Sequence, residues 1–213
     1  MADDLKHQIK LGQSLVMTPQ LQMAIKLLAT PSSEVASLVA ATRGVEPAQP
    51  GDLDPLQAPN AEEQELQEET GVTPWSFLLE RPSELLETDA DVWIYGNPPV
   101  ARANREVLPK LRAIQSADQE ALREAAWLFR ALRQRAKSYE RVVETLLELR
   151  PQLAIAVSPE AFAPVPLREV AQKVGMHEST ITRVVSACRI QNLHGVWGLV
   201  ATKRGIGIKQ TAS

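Results

Sequence analysis

Residues 167–185 read LREVAQKVGMHESTITRVV, a pattern typical of two short helices joined by a tight turn. The first helix carries an apolar face, formed by Leu167, Val170, Ala171 and Val174. Gly175 supplies a turn residue that adopts the left-handed conformation without strain. The second helix begins near Glu178 and turns three aliphatic side chains inward, namely Ile181, Val184 and Val185. This spacing predicts a helix-turn-helix.

The exposed side of the second helix is predicted to contact DNA. Seven residues lie on it: His177, Glu178, Ser179, Thr180, Thr182, Arg183 and Ser186. Small hydroxyl groups can meet phosphates or base edges, and Arg183 suits a guanine edge or a phosphate. A helix-turn-helix that contacts only protein stays open as an alternative. Residues 163–213 carry seven basic and two acidic residues, and this net charge of +5 is modest for a DNA binder.

Charge is segregated along the chain, although the whole carries only −3. Residues 46–91 contain 13 acidic residues and one basic residue, for a net charge of −12. This distribution predicts an acidic spacer that repels nucleic acid and a C-terminal module that can approach it. In the tail, Lys203, Arg204 and Lys209 either add phosphate contacts or lie in a disordered end.

Composition favours helices. Hydrophobic residues make up 44% of the 213 residues but aromatic residues only 4%, which predicts an all-α, mainly helical fold packed by aliphatic side chains. The single cysteine, Cys188, rules out an internal disulfide framework and a thiolate metal cluster. No apolar run approaches the ~20 residues that span a bilayer, and the N-terminus does not resemble a signal peptide. We therefore expect a cytoplasmic protein with no membrane partner.

The N-terminal region is predicted to form short helices. Thr18 followed by Pro19 is a typical helix start, and Thr30 followed by Pro31 repeats it. Gly44 is the expected end of the second of these helices. Helices this short are marginal alone, so we expect them to dock onto a partner.

The chain is predicted to divide into five segments. These are an N-terminal helical region (1–45), a flexible acidic and proline-rich linker (46–74), a helical-bundle domain (75–160), a helix-turn-helix subdomain (161–205) and a tail (206–213). Within the third segment, the pattern predicts a helix over Trp75–Leu86 and a short strand over Asp91–Tyr95. Two long helices are expected between Asp118 and Leu149, broken near Lys137 or Ser138.

Several arginines fall mostly off the apolar faces of these two long helices. They are Arg123, Arg130, Arg133, Arg135 and Arg141. The pattern leaves two interpretations open, an ordinary solvated helix surface and a rim that binds a partner.

Three stretches together resemble a known family. Residues 11–28 read LGQSLVMTPQLQMAIKLL, residues 125–135 read AAWLFRALRQR, and residues 175–184 read GMHESTITRV. In this order, with an acidic linker between the first two, they resemble the N-terminal region, the core-binding helix and the helix-turn-helix of RpoN-type (sigma-54-like) sigma factors. The resemblance covers about residues 5–44 and 72–205.

The resemblance implies partners and site residues. It implies that the N-terminal helices hold the promoter complex closed and receive the signal of a hexameric AAA+ ATPase activator. The residues so assigned are Met17, Thr18, Pro19, Gln20, Leu21 and Gln22. It also implies that the bundle binds core RNA polymerase, and the residues so assigned are Arg123, Trp127, Arg130, Arg133 and Arg135. The helix-turn-helix would contact promoter DNA near the downstream element, with Arg183 the leading candidate.

Two departures from the family pattern leave the role open. Thr42–Pro47 replaces the usual Asn-Pro end of the N-terminal region, and the family continues past the helix-turn-helix into a domain that reads the upstream promoter element. We therefore expect a truncated family member, either an initiation factor or a competitor that occupies core polymerase without selecting promoters. A stand-alone helix-turn-helix regulator is a further alternative, although it leaves the N-terminal resemblance unexplained.

An enzyme is the weakest interpretation. His7, His177 and His194 lack the spacing of zinc ligands, and no phosphate-binding glycine loop or activated nucleophile is recognisable. We therefore expect no catalytic residues, no metal and no cofactor; in the family, the activator hydrolyses the ATP.

Overall fold

The computed structural model describes residues 18–50, 52, 89–114 and 117–211. Met17, the helix predicted over Trp75–Leu86 and most of the predicted linker lie outside the described residues. None of the helices described is both long and apolar enough to cross a membrane.

Two short helices open the described chain, α1 (Pro19–Ala29) and α2 (Ser32–Val39). The Thr18 hydroxyl accepts a hydrogen bond from the Leu21 amide and caps α1, as predicted. Thr30 does not cap α2, whose preceding residue is Pro31. Gly44 does not end α2 either; it lies at φ +77° in the turn before the first strand.

A single 31-residue helix, α3 (Gln119–Leu149), runs where two helices were predicted. Asp118 caps its first turn through the Ala121 amide. At 1.5 Å per residue α3 is about 46 Å long. It ends before Pro151, since proline disfavours helical geometry in the preceding residue. The predicted break near Lys137 was therefore wrong.

The helix-turn-helix follows as α4 (Leu167–Val174) and α5 (Glu178–Ala187). Its two helices begin and end close to where the apolar spacing placed them. Short 3-10 turns connect α3 to α4, over Pro151–Ile155 and Pro159–Ala161.

Strands make the all-α prediction wrong. Seven are described: β1 (Val45–Pro47), β2 (Val92–Tyr95), β3 (Val100–Ala103), β4 (Leu111–Ala113), β5 (Arg189–Asn192), β6 (Gly195–Thr202) and β7 (Gly205–Gln210). The fold is thus a mixture of helices and sheets.

The strands form two sheets. β1 and β4 pair antiparallel, and the others form a five-stranded sheet in the order β3-β2-β5-β6-β7. In the larger sheet β2 runs parallel to β5, and the remaining pairs are antiparallel. β1 lies at the start of the predicted linker and β7 in the predicted tail, so both segments contribute ordered backbone that those predictions missed.

The buried apolar residues form two clusters that meet along α3. Its first half packs with α1, α2 and β4, through side chains that include Leu128 and Leu132. Its second half packs with the helix-turn-helix and the five-stranded sheet, through side chains that include Val142 and Leu146. α3 therefore changes partners near its middle while its backbone continues. α1 also packs against α5, so the N-terminal helices dock on this same chain.

Candidate DNA-binding site

The turn between α4 and α5 is built around Gly175. This residue has φ +73° and ψ 30°, and its amide bonds the Ala171 and Gln172 carbonyl oxygens at 3.0 and 3.3 Å. The Met176 amide also donates to the Ala171 oxygen, at 3.0 Å. These bonds satisfy the last carbonyl groups of α4 and reverse the chain. A β-carbon at Gly175 would meet open space, so the left-handed backbone alone explains why glycine suits this position.

His177 fixes the start of α5. Its Nδ1 accepts a hydrogen bond from the Ser179 amide at 3.2 Å and lies 2.8 Å from the Ser179 hydroxyl oxygen. The histidine thus acts as an N-cap, a role usually filled by small polar side chains. Of the predicted DNA-contacting residues, these two also hold each other in place.

The outer face of α5 is open to solvent. His177, Glu178, Ser179, Thr182 and Ser186 are exposed, whereas Thr180 and Arg183 are half-buried. Five of the seven predicted residues are thus exposed at the N-cap or along α5, and the other two are partly exposed. Whether they touch DNA stays a prediction.

Hydrogen bonds within α5 leave acceptor oxygens on this face. The Thr182 hydroxyl donates to the Glu178 carbonyl at 2.9 Å, and the Ser186 hydroxyl donates to the Arg183 carbonyl at 2.8 Å. A hydroxyl that donates to the backbone keeps lone pairs that can accept from a base amino group. No described carboxylate pairs with the guanidinium of Arg183, which is half-buried.

The inner faces of both helices join the larger core and fix the angle between them. Val170 and Val174 of α4 are buried together with Ile181 and Val184 of α5. From α3, Arg141 donates to the carbonyl oxygen of Val174 at 3.1 Å and helps to cap α4. The exposed pair Lys173–Glu148 adds a second link between α3 and α4, at 2.6 Å. α3 is therefore joined to α4 by a side-chain hydrogen bond and by an ion pair.

Arg135, predicted to bind core polymerase, is buried instead. Its side chain is 2% exposed, and its Nη2 lies 3.3 Å from Oδ1 of Asp91, which is equally buried. The guanidinium also donates to the carbonyl oxygens of Leu27 and Thr30, at 2.9 and 3.0 Å. These oxygens belong to the end of α1, where helical carbonyls need outside partners. A group held in this way cannot reach a partner surface, so the assignment of Arg135 to polymerase contact was wrong.

The burial of Arg135 could have been predicted from its position along α3. Arg135 lies three residues after Leu132 and four before Tyr139, and both of those are fully buried. The arginine therefore falls inside the apolar stripe, where a buried carboxylate is the expected partner.

The other residues assigned to polymerase contact remain accessible to different degrees. Arg123 and Arg130 are exposed, while Trp127 and Arg133 are half-buried. Arg123 and Trp127 line a groove with the start of α1, together with Thr18 and Met23.

The residues assigned to the activator lie on the outer half of α1. Thr18, Pro19, Gln20, Leu21 and Gln22 are exposed, whereas Leu27, near the end of the same helix, is buried. The Tyr139 hydroxyl donates to the Leu28 carbonyl at 2.9 Å. α1 is thus anchored by its last turn and presents its first turns to solvent.

Among the described residues, no three histidine, cysteine or carboxylate side chains come together in a way that could hold a metal ion. Cys188 is buried, and burial raises the pKa of its thiol well above the usual value. A thiol of this kind is protonated and inaccessible, so we assign it to packing.

Comparison with known families agrees with this geometry. Residues 6–41 match the model of the sigma-54 factor activator interacting domain, and residues 115–202 match that of the sigma-54 DNA binding domain. Together the two matches cover more than half of the chain. The second includes all of α3, so the residues predicted to bind core polymerase lie in the segment similar to the DNA-binding domain.

Curated relatives point the same way. The chain is 28% identical over 133 residues to an RNA polymerase sigma-54 factor of Pseudomonas putida, an alignment that covers 55% of this chain and 25% of that protein. The corresponding factor of Acidithiobacillus ferridurans is 33% identical over 132 residues, covering 52% and 28%. That of Bacillus subtilis is 35% identical over 71 residues, covering 33% and 16%. The chain thus spans about a quarter or less of the length of these relatives. With both domain models matched in the same order along it, the chain belongs to the sigma-54 factor family.

Proposed function

We propose that this chain acts in the cytoplasm as a sigma-54-type transcription initiation factor, without enzymatic activity of its own. The observation that carries the proposal is the helix-turn-helix, whose left-handed Gly175 sets an exposed polar face of α5 outward from a rigid core. Similarity to the sigma-54 DNA binding domain covers the same helices.

DNA recognition is assigned to α5. Arg183 supplies a cation for a guanine edge or a phosphate, and the hydroxyls of Ser179 and Thr182 supply smaller contacts. His177 and Glu178, at the start of the helix, would lie nearest to the groove if the N-terminal end of α5 enters it, as in other helix-turn-helix proteins.

The proposal gives the N-terminal helices a regulatory partner. The exposed first turns of α1 would meet an ATP-driven activator of the AAA+ class, while the anchored last turn transmits the contact to α3 and α5. Core RNA polymerase is the second protein partner, and Arg123, Trp127, Arg130 and Arg133 are the candidates on α3 that are at least partly exposed.

The test begins with the binding of the purified chain to core RNA polymerase, in competition with a full-length sigma-54 factor. Promoter DNA is then added to the complex, followed by an activator with ATP or with a non-hydrolysable analogue. Competition for core, together with DNA binding and an ATP-dependent change in the complex, supports the proposal. Core binding without DNA binding would indicate a competitor, and DNA binding without core binding would indicate a stand-alone regulator; either result contradicts it.

A further inference from the structure

The turn between β6 and β7 places two adjacent cations at the tip of a hairpin. Thr202 pairs with Gly205 in the register of the two strands, so Lys203 and Arg204 form the turn. Both are exposed, and no described carboxylate pairs with either. The similarity to the sigma-54 DNA binding domain ends at residue 202, so this turn lies outside the matched segment.

Hydrogen bonds hold the turn in one shape. The Thr202 hydroxyl donates a hydrogen bond to the Gly205 carbonyl oxygen at 2.8 Å. The oxygen of the Thr202 hydroxyl also accepts a hydrogen bond from the Arg204 amide at 3.2 Å. One side chain thus ties both ends of the loop. Little backbone entropy would be lost when a ligand binds to it.

The hairpin is attached directly beside the helix-turn-helix. Val165 exchanges two backbone hydrogen bonds with Ile206, of 2.9 and 2.7 Å, and α4 begins two residues after Val165. Gly205 has φ +128°, and a β-carbon there would lie 2.2 Å from the Val165 carbonyl oxygen. Only a glycine lets the hairpin approach this closely.

A further exposed cation lies at the start of α4. Arg168, in the first turn of α4, is exposed and has no described acidic partner; it lines a groove with His177 and Glu178 at the start of α5. Arg204 immediately precedes Gly205, where an added β-carbon would meet the backbone of Val165 and Pro166, the two residues before α4. Arg168 thus connects the two regions: it lies three residues after Val165, to which the hairpin is bonded, and lines the groove at the start of α5. The nearby acidic residues are Glu169 and Glu178, both exposed.

We propose that the Lys203–Arg204 turn is a second DNA contact, which grips the sugar-phosphate backbone beside the groove entered by α5. The proposal rests on the proposed function, because it assumes that α5 faces DNA. Adjacent flexible cations on a fixed turn suit phosphates, which attract charge irrespective of sequence. The turn would set the register of the protein on the duplex and leave base selection to α5.

The experiment measures the binding of the full chain to a random-sequence DNA duplex by fluorescence anisotropy, between about 50 and 200 mM salt. The test variant is Lys203→Ala/Arg204→Ala. We expect its affinity near 0.1 M salt to fall about tenfold or more, and the slope of log K against log salt to lessen by about 1.8, or 0.9 for each lost phosphate contact. Thermal melting followed by circular dichroism checks that the fold is intact.

A matched pair of single variants distinguishes the loss of a local DNA contact from the effect of a change in net charge. Lys203→Glu and Lys110→Glu change the net charge equally at exposed positions, and Lys110 precedes β4, in the other core cluster. A larger loss of affinity for Lys203→Glu than for Lys110→Glu supports the proposal, and equal losses contradict it.

The remaining outcomes distinguish the two proposals. If Arg183→Ala weakens DNA binding while the double variant binds within about twofold of the parent and with the same salt slope, the hairpin proposal alone fails. If the parent chain binds no DNA at low salt, both proposals fail. If the double variant binds DNA normally but loses core polymerase, the turn is a protein contact and the hairpin proposal is overturned.

Discussion

Arg135 and Asp91 form an ion pair in which each side chain is only 2% exposed, with 3.3 Å between Nη2 and Oδ1. Asp91 also accepts hydrogen bonds from the Ser32 hydroxyl and the Arg189 amide. Burial raises the pKa of Asp91, and the Arg135 charge opposes that shift. Through this pair the end of α1, the start of α2, α3 and the larger sheet meet at one point.

Removing the cation from this pair should destabilise the protein strongly. In Arg135→Met the Asp91 carboxylate stays buried without its partner, and the carbonyls at the end of α1 lose their donors. We expect a loss of about 3–5 kcal/mol in the free energy of unfolding, measured by urea denaturation. The double variant Arg135→Met/Asp91→Asn should recover part of the loss, and a single variant as stable as the parent would contradict this account.

The turn of the helix-turn-helix should tolerate only residues that adopt a positive φ. Gly175→Ala places a side chain at φ +73° and should cost about 1–2 kcal/mol of stability. Gly207→Ala is a matched control, because its β-carbon would make an ordinary 3.9 Å contact with Val200. Chemical denaturation of both variants checks the prediction, which fails if the two lose the same stability.

Arg183 should contribute to sequence recognition as well as to affinity. If it reads a guanine edge, Arg183→Ala should weaken binding to the cognate promoter by about 1–3 kcal/mol and binding to random DNA by less. Competition binding with both duplexes measures the difference. An equal loss on the two duplexes would show that Arg183 contacts only phosphate.

The carboxylate of Asp118, which caps α3, should make the stability of the protein depend on pH. Hydrogen bonding by the Ala121 amide, aided by Arg43, lowers the pKa of Asp118 below its ordinary value of 3.8. A carboxyl group whose pKa is lowered by folding stabilises the protein at pH values above its ordinary pKa. This stabilisation is lost as the pH falls through the folded-state pKa. Asp118→Asn keeps a capping oxygen but loses the charge. The parent should therefore have a higher melting temperature than Asp118→Asn at neutral pH, and this difference should disappear at acid pH. A difference in melting temperature that does not change with pH would contradict this account.

The helix-turn-helix was predictable because all its signals are local. Its signals all lie within twenty residues: the spacing of apolar residues around Val170 and Ile181, and the glycine at the turn. The exposed face of α5 was predicted from the same spacing; five of its seven predicted residues are exposed, and Thr180 and Arg183 are half-buried.

The strand predicted over Asp91–Tyr95 is present as β2. The other strands were missed because their stability comes from distant partners. Ile206 and Ile208 alternate inward along β7, but this short glycine-rich segment gains its order from β6 and from Val165. Two-residue periodicity over so few residues is a weak signal. Arg135 was misassigned for a similar reason, since its partner Asp91 lies 44 residues away.

The parallel pairing of β2 with β5 has a consequence for how the chain can be divided. A fragment cut to residues 115–202 would keep the helix-turn-helix but lose β2, β3 and β7, which flank β5 and β6 on both sides. The two remaining strands would each present an unpaired backbone edge, a template for pairing with another copy. We expect such a fragment to aggregate. We therefore expect the unit that folds to be larger than the segment similar to the DNA-binding domain, and to include β2.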